Sequence, residues 1–471
     1  MLRRRAPARR ERAARPPERT GASGARRRLH GWGRVPVEEC LVYRPERLSE
    51  LAELVAHAPA PSLIARGLGR AYGDAALNRD AGVVLGERLD RLLAFDPATG
   101  VLTCEAGVSL ATLLDRFLPR GFFLPVTPGT KFISVGGAIA SDVHGKNHHA
   151  DGSIGRWVRS LRLLTASGEI VRCARDENAE LFWATLGGMG LTGIVVEASL
   201  QLKPVPTPYV SVDYERLPNL DALLERMSEV DRHRTYAVAW VDGLARGRRL
   251  GRGVLMLGDH ARPEELPPAL RARAPRRPPT VSLPVRLPDA TLNPLTVRVF
   301  NELFHRVHRE RHAVTDCDRY FYPLDRVHHW NRAYGRRGVL QYQALVPLEA
   351  RAGLVEMLEL LSASGLPSFL VVLKRLGEAS GGLLSFPRPG FTLSLDLPDT
   401  GERLRAVLAR LDAIVLRSGG TVYLSKDARL PAEHLPAMYP GLARFRAVRA
   451  RWDPNRRFSS SLARRLRIDA P

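Results

Sequence analysis

The spacing of apolar and polar positions changes character about midway along the chain. In the first part the elements are short. Pro45 to His57 places apolar side chains at helical intervals, and Ser62 to Ala65 reads as a strand. Two β-like runs between Leu93 and Ala106 flank Asp96-Pro97-Ala98-Thr99-Gly100, a hairpin signal. Ser109 to Leu118 is helical with Ser109 as N-cap, and Phe122 to Val126 is extended. A second hairpin joins Leu161–Ala166 to Glu169–Cys173, a short helix covers Glu180–Thr185, and Ile194–Leu202 is a strand leading into the proline-containing link 203–208. Beyond Tyr209 the elements lengthen. Helices are predicted over Leu217–Val230, Pro294–Arg311, Leu348–Ser364 and Glu402–Ser418. Strands are predicted over Tyr236–Val241, Val254–Leu257, Val339–Val346, Phe369–Lys374, Phe391–Leu397 and Thr421–Ser425. Arg262 to Pro288, rich in Pro and Arg, reads as a mobile lid or a disordered insertion. The pattern as a whole is α+β.

Three glycine-rich stretches punctuate the first part: residues 66–74 (RGLGRAYGD), 134–149 (SVGGAIASDVHGKNHH) and 187–194 (GGMGLTGI). The first has the spacing G-x-G-x-x-x-G, which fails the dinucleotide fingerprint, and no apolar helical stripe follows it. A Rossmann site is therefore disfavoured. Such a turn can still wrap a pyrophosphate with bare N–H groups, aided by Arg66 or Arg70. In the second stretch Gly136 and Gly137 allow close approach of backbone to a ligand, while His144, Lys146 and Asn147 offer donors. It reads as the wall of a cofactor pocket. His144 alone is equally a structural histidine, and Lys426 alone a solvated charge. His144 and His148 have the i, i+4 spacing of a zinc helix but lack the glutamate and a third ligand, so no metal site is proposed.

With 471 residues the chain exceeds what one core usually serves. Its formal net charge of +22 is uneven: residues 1–28 carry eleven arginines against Glu11 and Glu18. That tail is expected to be disordered. It lacks the apolar core of a signal peptide, although its paired arginines keep an export signal open. No apolar run reaches eighteen residues, so no spanning helix is expected and any membrane attachment would be peripheral. Cys40, Cys104, Cys173 and Cys317 show no metal spacing and read as buried residues of a reducing compartment. The basic charge raises a nucleic-acid reading, but no helix-turn-helix, zinc-finger or RNA-binding word accompanies it.

Long words in a fixed order carry a more specific signal: 65–74 (ARGLGRAYGD), 135–149 (VGGAIASDVHGKNHH), 180–194 (ELFWATLGGMGLTGI), 330–335 (WNRAYG), 340–343 (LQYQ) and 423–429 (YLSKDAR). From about Leu29 to Arg467 the chain resembles the vanillyl-alcohol-oxidase-type (PCMH-type) flavoproteins, and among them the family of oxidases acting on polyprenyl-phosphoryl-β-D-ribose. The resemblance implies an FAD-binding domain over 29–205, a substrate-binding cap over 206–420 with a mobile loop near 262–288, and a C-terminal return over 421–471. It places FAD along Arg66, Gly67, Leu68, Gly69, Arg70, Ala71, Tyr72, Gly73 and Asn78. It continues the cofactor site through Pro128, Gly129, Thr130, Gly136, Gly137, Ala140, Asp142, His144, Gly145 and Asn147, and on to Gly190, Gly193, Ile194 and Tyr423. Members with covalent flavin carry a histidine where this chain has Arg70, so a non-covalent flavin is implied.

On the substrate side the resemblance implies Trp240, Phe321, Gln341, Gln343, Lys374, Ser394 and Lys426, with Lys426 and His144 in catalytic roles. Two of these positions and one neighbour depart from the family pattern: Ser394 stands for a cysteine facing the flavin, Phe321 for a tyrosine, and the neighbouring Thr392 for an asparagine. The implied reaction is oxidation of the ribose 2-hydroxyl to a keto sugar, the first half of an epimerisation toward the arabinose donor of cell-wall arabinan. A short-chain NAD-dependent reductase is the implied partner, with no nucleic acid. The implied location is cytoplasmic or peripheral on the plasma membrane, the periplasmic face remaining open. An FAD-dependent oxidase of a soluble sugar, alditol or aldonolactone is the alternative.

Overall fold

In a computed structural model, which describes residues 24–230, 233–271 and 280–469, three sheets dominate. The first has four strands in the order Ala25–His30, Val37–Tyr43, Gly82–Leu85, Leu63–Arg66; the outer pair is antiparallel and the rest parallel. The second is antiparallel: Leu92–Asp96, Val101–Glu105, Ile194–Gln201, Val158–Leu164, Ile170–Ala174. Helices Leu48–His57 and Leu110–Phe117 seal these sheets, the latter capped by Ser109 Oγ accepting from the Thr112 N–H. Mixed helices and sheets give the α+β class read from the sequence.

The third sheet has eight antiparallel strands in the order Arg311–Asp316, Tyr209–Leu217, Gly253–His260, Tyr236–Val241, Val371–Leu376, Gly390–Pro398, Val339–Val346, Thr421–Val422. Helices Arg351–Ser364 and Glu402–Arg417 cover one face. Successive side chains of a strand point to opposite faces. Cross-strand pairing therefore sets Gln341 opposite Asp396, Gln343 opposite Ser394 and Lys374 opposite Thr392, gathering these polar groups on the uncovered face. That face looks toward the first two sheets, and the main cavity lies between them.

Several expectations change. Arg26 to Arg28, assigned above to the disordered tail, belong to an edge strand whose register pairs Arg27 with Cys40; residues 1–23 lie outside the described residues. The second glycine stretch contains a helix, Val135–Ala140, capped by Ser134 Oγ. The Pro294 helix ends at Val307, and Arg311 opens a strand instead. Phe122–Val126 shortens to Phe122–Phe123, because only those residues find a ladder partner, at Lys203–Pro204. The segment taken as a mobile lid is tied down where it is described. Val281–Ser282 pairs in parallel with Val327–His328, and Arg332 donates to the carbonyls of Leu283 and Pro284 at 2.9 Å each. Residues 272–279 of it lie outside the described residues.

Candidate functional site

The site begins with the strand Leu63–Arg66, which delivers the chain into the first glycine loop. Within this loop the N–H groups of Leu68, Gly69, Arg70 and Ala71 find no acceptor among the described residues, and all four residues line the cavity. Four successive amides without a protein acceptor, in a half-exposed loop that lines a cleft, leave donors for an anion. The loop is held from behind. Arg66 donates to the carbonyls of His30 at 2.8 Å and Ala76 at 3.3 Å, passing beneath Gly69. There φ is +64°, and a Cβ would stand 2.4 Å from the guanidinium. Arg70 stacks on Trp32 at 4.0 Å. Burial lowers the pKa of both arginines.

Opposite the loop, Gly136 and Gly137 enter the cavity wall on the short helix Val135–Ala140. Their amides are already used, Gly136 by the Ala106 carbonyl at 2.8 Å and Gly137 by Ser134 Oγ at 3.2 Å. These glycines thus contribute closeness, not donors: a Cβ on Gly136 would lie 3.0 Å from that of Ala106. Pro128, Gly129, Thr130, Ala140, Gly190, Gly193 and Ile194 complete this wall, and at Gly129 a Cβ would meet nothing within 4 Å. The cavity encloses about 350 Å³, within the roughly 300–1,000 Å³ of ligand clefts.

At its other end Gln341, Gln343, Lys374, Ser394, Tyr423 and Lys426 line the wall together with His144. Thr392 Oγ1 donates to the Ala344 carbonyl at 3.0 Å, so it accepts from the Gln343 amide at 3.1 Å. The second amide hydrogen of Gln343 then meets His144 Nε2 at 3.1 Å. His144 accepts there and carries its proton on Nδ1, 3.4 Å from Lys374 Nζ. Burial, then the charge of Lys374, holds His144 well below the ordinary histidine range, so it is neutral. Burial followed by the charge of Lys426 lowers Lys374 to about 7. Lys426 is lowered to about 8 by burial, against the pull of Asp396, and its ammonium lies 4.5 Å over the Tyr72 ring. Asp396 is raised to about 6 by burial; Gln341 donates to one of its oxygens and the Tyr72 hydroxyl to the other at 3.5 Å. Tyr423 donates to the Ser141 carbonyl at 2.8 Å. Lys426 thus faces the Asp396 carboxylate with Lys374 as a second cation beside it, a setting that attracts an anion.

Other residues singled out by resemblance stand behind the wall. Asn78 ties Gly82, at 3.0 Å, to Arg464. Asp142 accepts from Gly155 N–H and Ser380, and Asn147 donates to the Pro125 carbonyl. Gly73 lies against Asp427, whose carbonyl a Cβ would meet at 1.9 Å, and Gly145 against Thr127 at 2.7 Å. Trp240 donates to Phe369 O at 3.0 Å and packs on Phe304. Phe321 is buried among Phe123, Tyr236 and Tyr320. For these residues the expected ligand contact gives way to support of the wall, because their polar groups are already paired or their rings are enclosed. Asp396, Trp32 and Trp330 were not singled out as site residues. Strand alternation from Thr392 and Ser394 pointed to Asp396, whereas nothing local marked Trp32.

A family model described as FAD binding domain matches residues 40–174. The chain is 38% identical over 451 residues to decaprenylphosphoryl-beta-D-ribose oxidase of Mycolicibacterium smegmatis, covering 94% of this chain and 98% of that one. It belongs to the same oxidase family. An uncharacterized protein of Streptomyces coelicolor is 40% identical over 76% of this chain and its own whole length. L-gulonolactone oxidase of Bos taurus is more distant, 29% identical over 40% of this chain and 43% of its own. As a member of the family the chain is an FAD-dependent oxidoreductase, and the cavity fits the cofactor. The unpaired amides of residues 68–71 suit a pyrophosphate, and Gly129 borders open space that a side chain would fill. No helix among the described residues is long and apolar enough to cross a membrane.

Proposed function

We propose that this flavoprotein oxidises the 2-hydroxyl of a polyprenyl-phosphoryl-β-D-ribose to the 2-keto sugar. The observation that carries the reading is the polar end of the cavity. Lys374 and Lys426 leave positive charge unmatched by Asp396, beside the amides of Gln341 and Gln343. A phosphodiester supplies the missing negative charge, and ribose hydroxyls suit the amides. When bound, FAD supplies the hydride acceptor. Residues 66–72 hold its pyrophosphate, and Arg70, unlike a histidine, leaves the flavin free of a covalent bond. Lys426 Nζ holds the 2-hydroxyl and, as the amine, takes up its proton. Asp396 stabilises the ammonium that this proton creates, and Gln341 keeps that carboxylate in place. Lys374 meets the phosphate beside the neutral ring of His144. In this reading the eight-stranded sheet is the substrate-binding unit. The keto sugar passes to a short-chain NAD-dependent reductase, and the enzyme works peripherally at the plasma membrane or in the cytoplasm, on arabinan precursors.

Anaerobic mixing tests the reading. Prenyl-phosphoryl ribose in detergent is expected to bleach the flavin absorbance, with free ribose and aldonolactones inactive. Lys426→Ala is expected to keep FAD and lose the bleaching. Turnover of free sugars or lactones without bleaching by the lipid-linked sugar would replace the reading with that of a soluble-sugar oxidase.

A further inference from the structure

The helix Pro294–Val307 is apolar on two sides. Its inner side carries Val297, 1% exposed, and Phe304, whose ring lies 4.6 Å from Trp240. Its outer side carries Leu295, Val299, Leu303 and Val307, spaced by four and therefore aligned in one ridge, with exposures of 69%, 52%, 57% and 66%. A second, exposed apolar ridge on a helix whose inner side is already packed marks a face that meets another apolar phase. Val281 and Val285, 66% and 61% exposed, lie on the segment that wraps Trp330. Behind the ridge, rings run without a break to the cavity: Phe300 on Phe369 at 5.7 Å, Phe369 on Tyr334 at 5.9 Å, and Tyr334 on Trp330 at 6.1 Å. Trp330 and Leu370 line the cavity near Lys374.

We propose that this ridge is a docking face for an anionic lipid surface, which it enters to the depth of its aliphatic side chains. Charge complementarity selects the occupant. Residues 262–311 contain ten arginines against five acidic residues, no lysine among them. Arg286, Arg298 and Arg309 are exposed and have no carboxylate within ion-pair reach among the described residues. An interfacial helix combines these parts, aliphatic side chains inward to the lipid and basic ones at headgroup level. A protein partner fits less well, since protein interfaces rely on aromatic and arginine anchors seated in pockets, and this is a protruding row of Leu and Val. The inference rests on the proposed substrate, because docking here sets the polar end of the cavity beside the membrane from which a prenyl chain would be drawn.

Co-sedimentation of the FAD-loaded protein with vesicles of equal parts phosphatidylcholine and phosphatidylglycerol tests it. The protein is expected to pellet with these vesicles and weakly with phosphatidylcholine alone. Replacing Leu295, Val299, Leu303 and Val307 together by Ser is expected to lower the partition coefficient on the order of 100-fold while the flavin spectrum stays unchanged. As a check independent of that variant's folding, Leu303→Trp is expected to shift its emission to the blue on vesicle addition. Equal pelleting of the serine variant, no pelleting of the parent protein, or a parent dimer that the serine variant dissociates would overturn the proposal. The assay contains no sugar. A parent protein that fails to pellet while the lipid-linked sugar still bleaches its flavin refutes the docking face alone, and a parent that pellets without bleaching refutes the substrate alone.

Discussion

Lys374 is the residue whose charge is most sensitive to what enters the cavity. Burial and the neighbouring Lys426 both oppose its ammonium form, and its pKa falls to about 7. A bound phosphodiester, which stays anionic throughout this range, favours the ammonium and raises that pKa again. Proton uptake therefore accompanies binding once the pH exceeds the free-enzyme value. The dissociation constant of the substrate is expected to rise about tenfold per pH unit above about 7 and to be flat below it. In Lys374→Gln the affinity is expected to be lower and independent of pH across the same interval. Titrating flavin absorbance with a non-oxidisable prenyl phosphodiester at a series of pH values would show this, and an unchanged slope in the variant would remove Lys374 from phosphate binding.

Among the elements, the short C-terminal helix Ser461–Arg465 does more than its length suggests. Arg465 donates to both oxygens of Asp74 and to Asp427, each at 2.8 Å, and to the Leu430 carbonyl at 2.9 Å. Asp74 and Asp427 are 3% and 4% exposed, so neither carboxylate has water to replace this partner. The first glycine loop is thus locked to the segment bearing Lys426, with Gly73 pressed on Asp427. Breaking a buried pair from one side leaves uncompensated charge, which typically costs about 3–5 kcal/mol. Arg465→Leu is expected to lose about that much stability in urea unfolding and to release FAD more readily. An unfolding midpoint and FAD dissociation constant equal to those of the parent protein would show that the clamp is idle.

For the whole molecule, the cavity is lined by residues of sheets that face each other, so a cofactor bound in it would be held from both sides. A ligand held only by the folded state stabilises it by about 4 kcal/mol at a thousandfold excess over its dissociation constant. Removing FAD is accordingly expected to lower the thermal midpoint, and adding it back to restore the midpoint in a concentration-dependent way. With Arg70 where a covalent linkage would need histidine, acid precipitation is expected to release all of the flavin into the supernatant. Colour remaining in the pellet would contradict the non-covalent reading.

Strand and helix periodicity, the three glycine loops and the words around Lys426 were legible in the chain itself, because they depend on near neighbours and on backbone freedom. They pointed to the α+β class and to the first loop as a candidate anion-binding turn. Other features depended on partners far along the chain. Asp396 joins the site through Gln341 across a strand pair and Tyr72 from the first loop, and Trp32 through the stacked Arg70. The tautomer of His144 is set by Thr392 through Gln343, and whether Asp142 and Asn147 face the cleft or brace it depends on Ser380 and Pro125. Hydrogen-bond direction and burial are properties of surroundings assembled from distant segments, so only the tertiary structure could decide them.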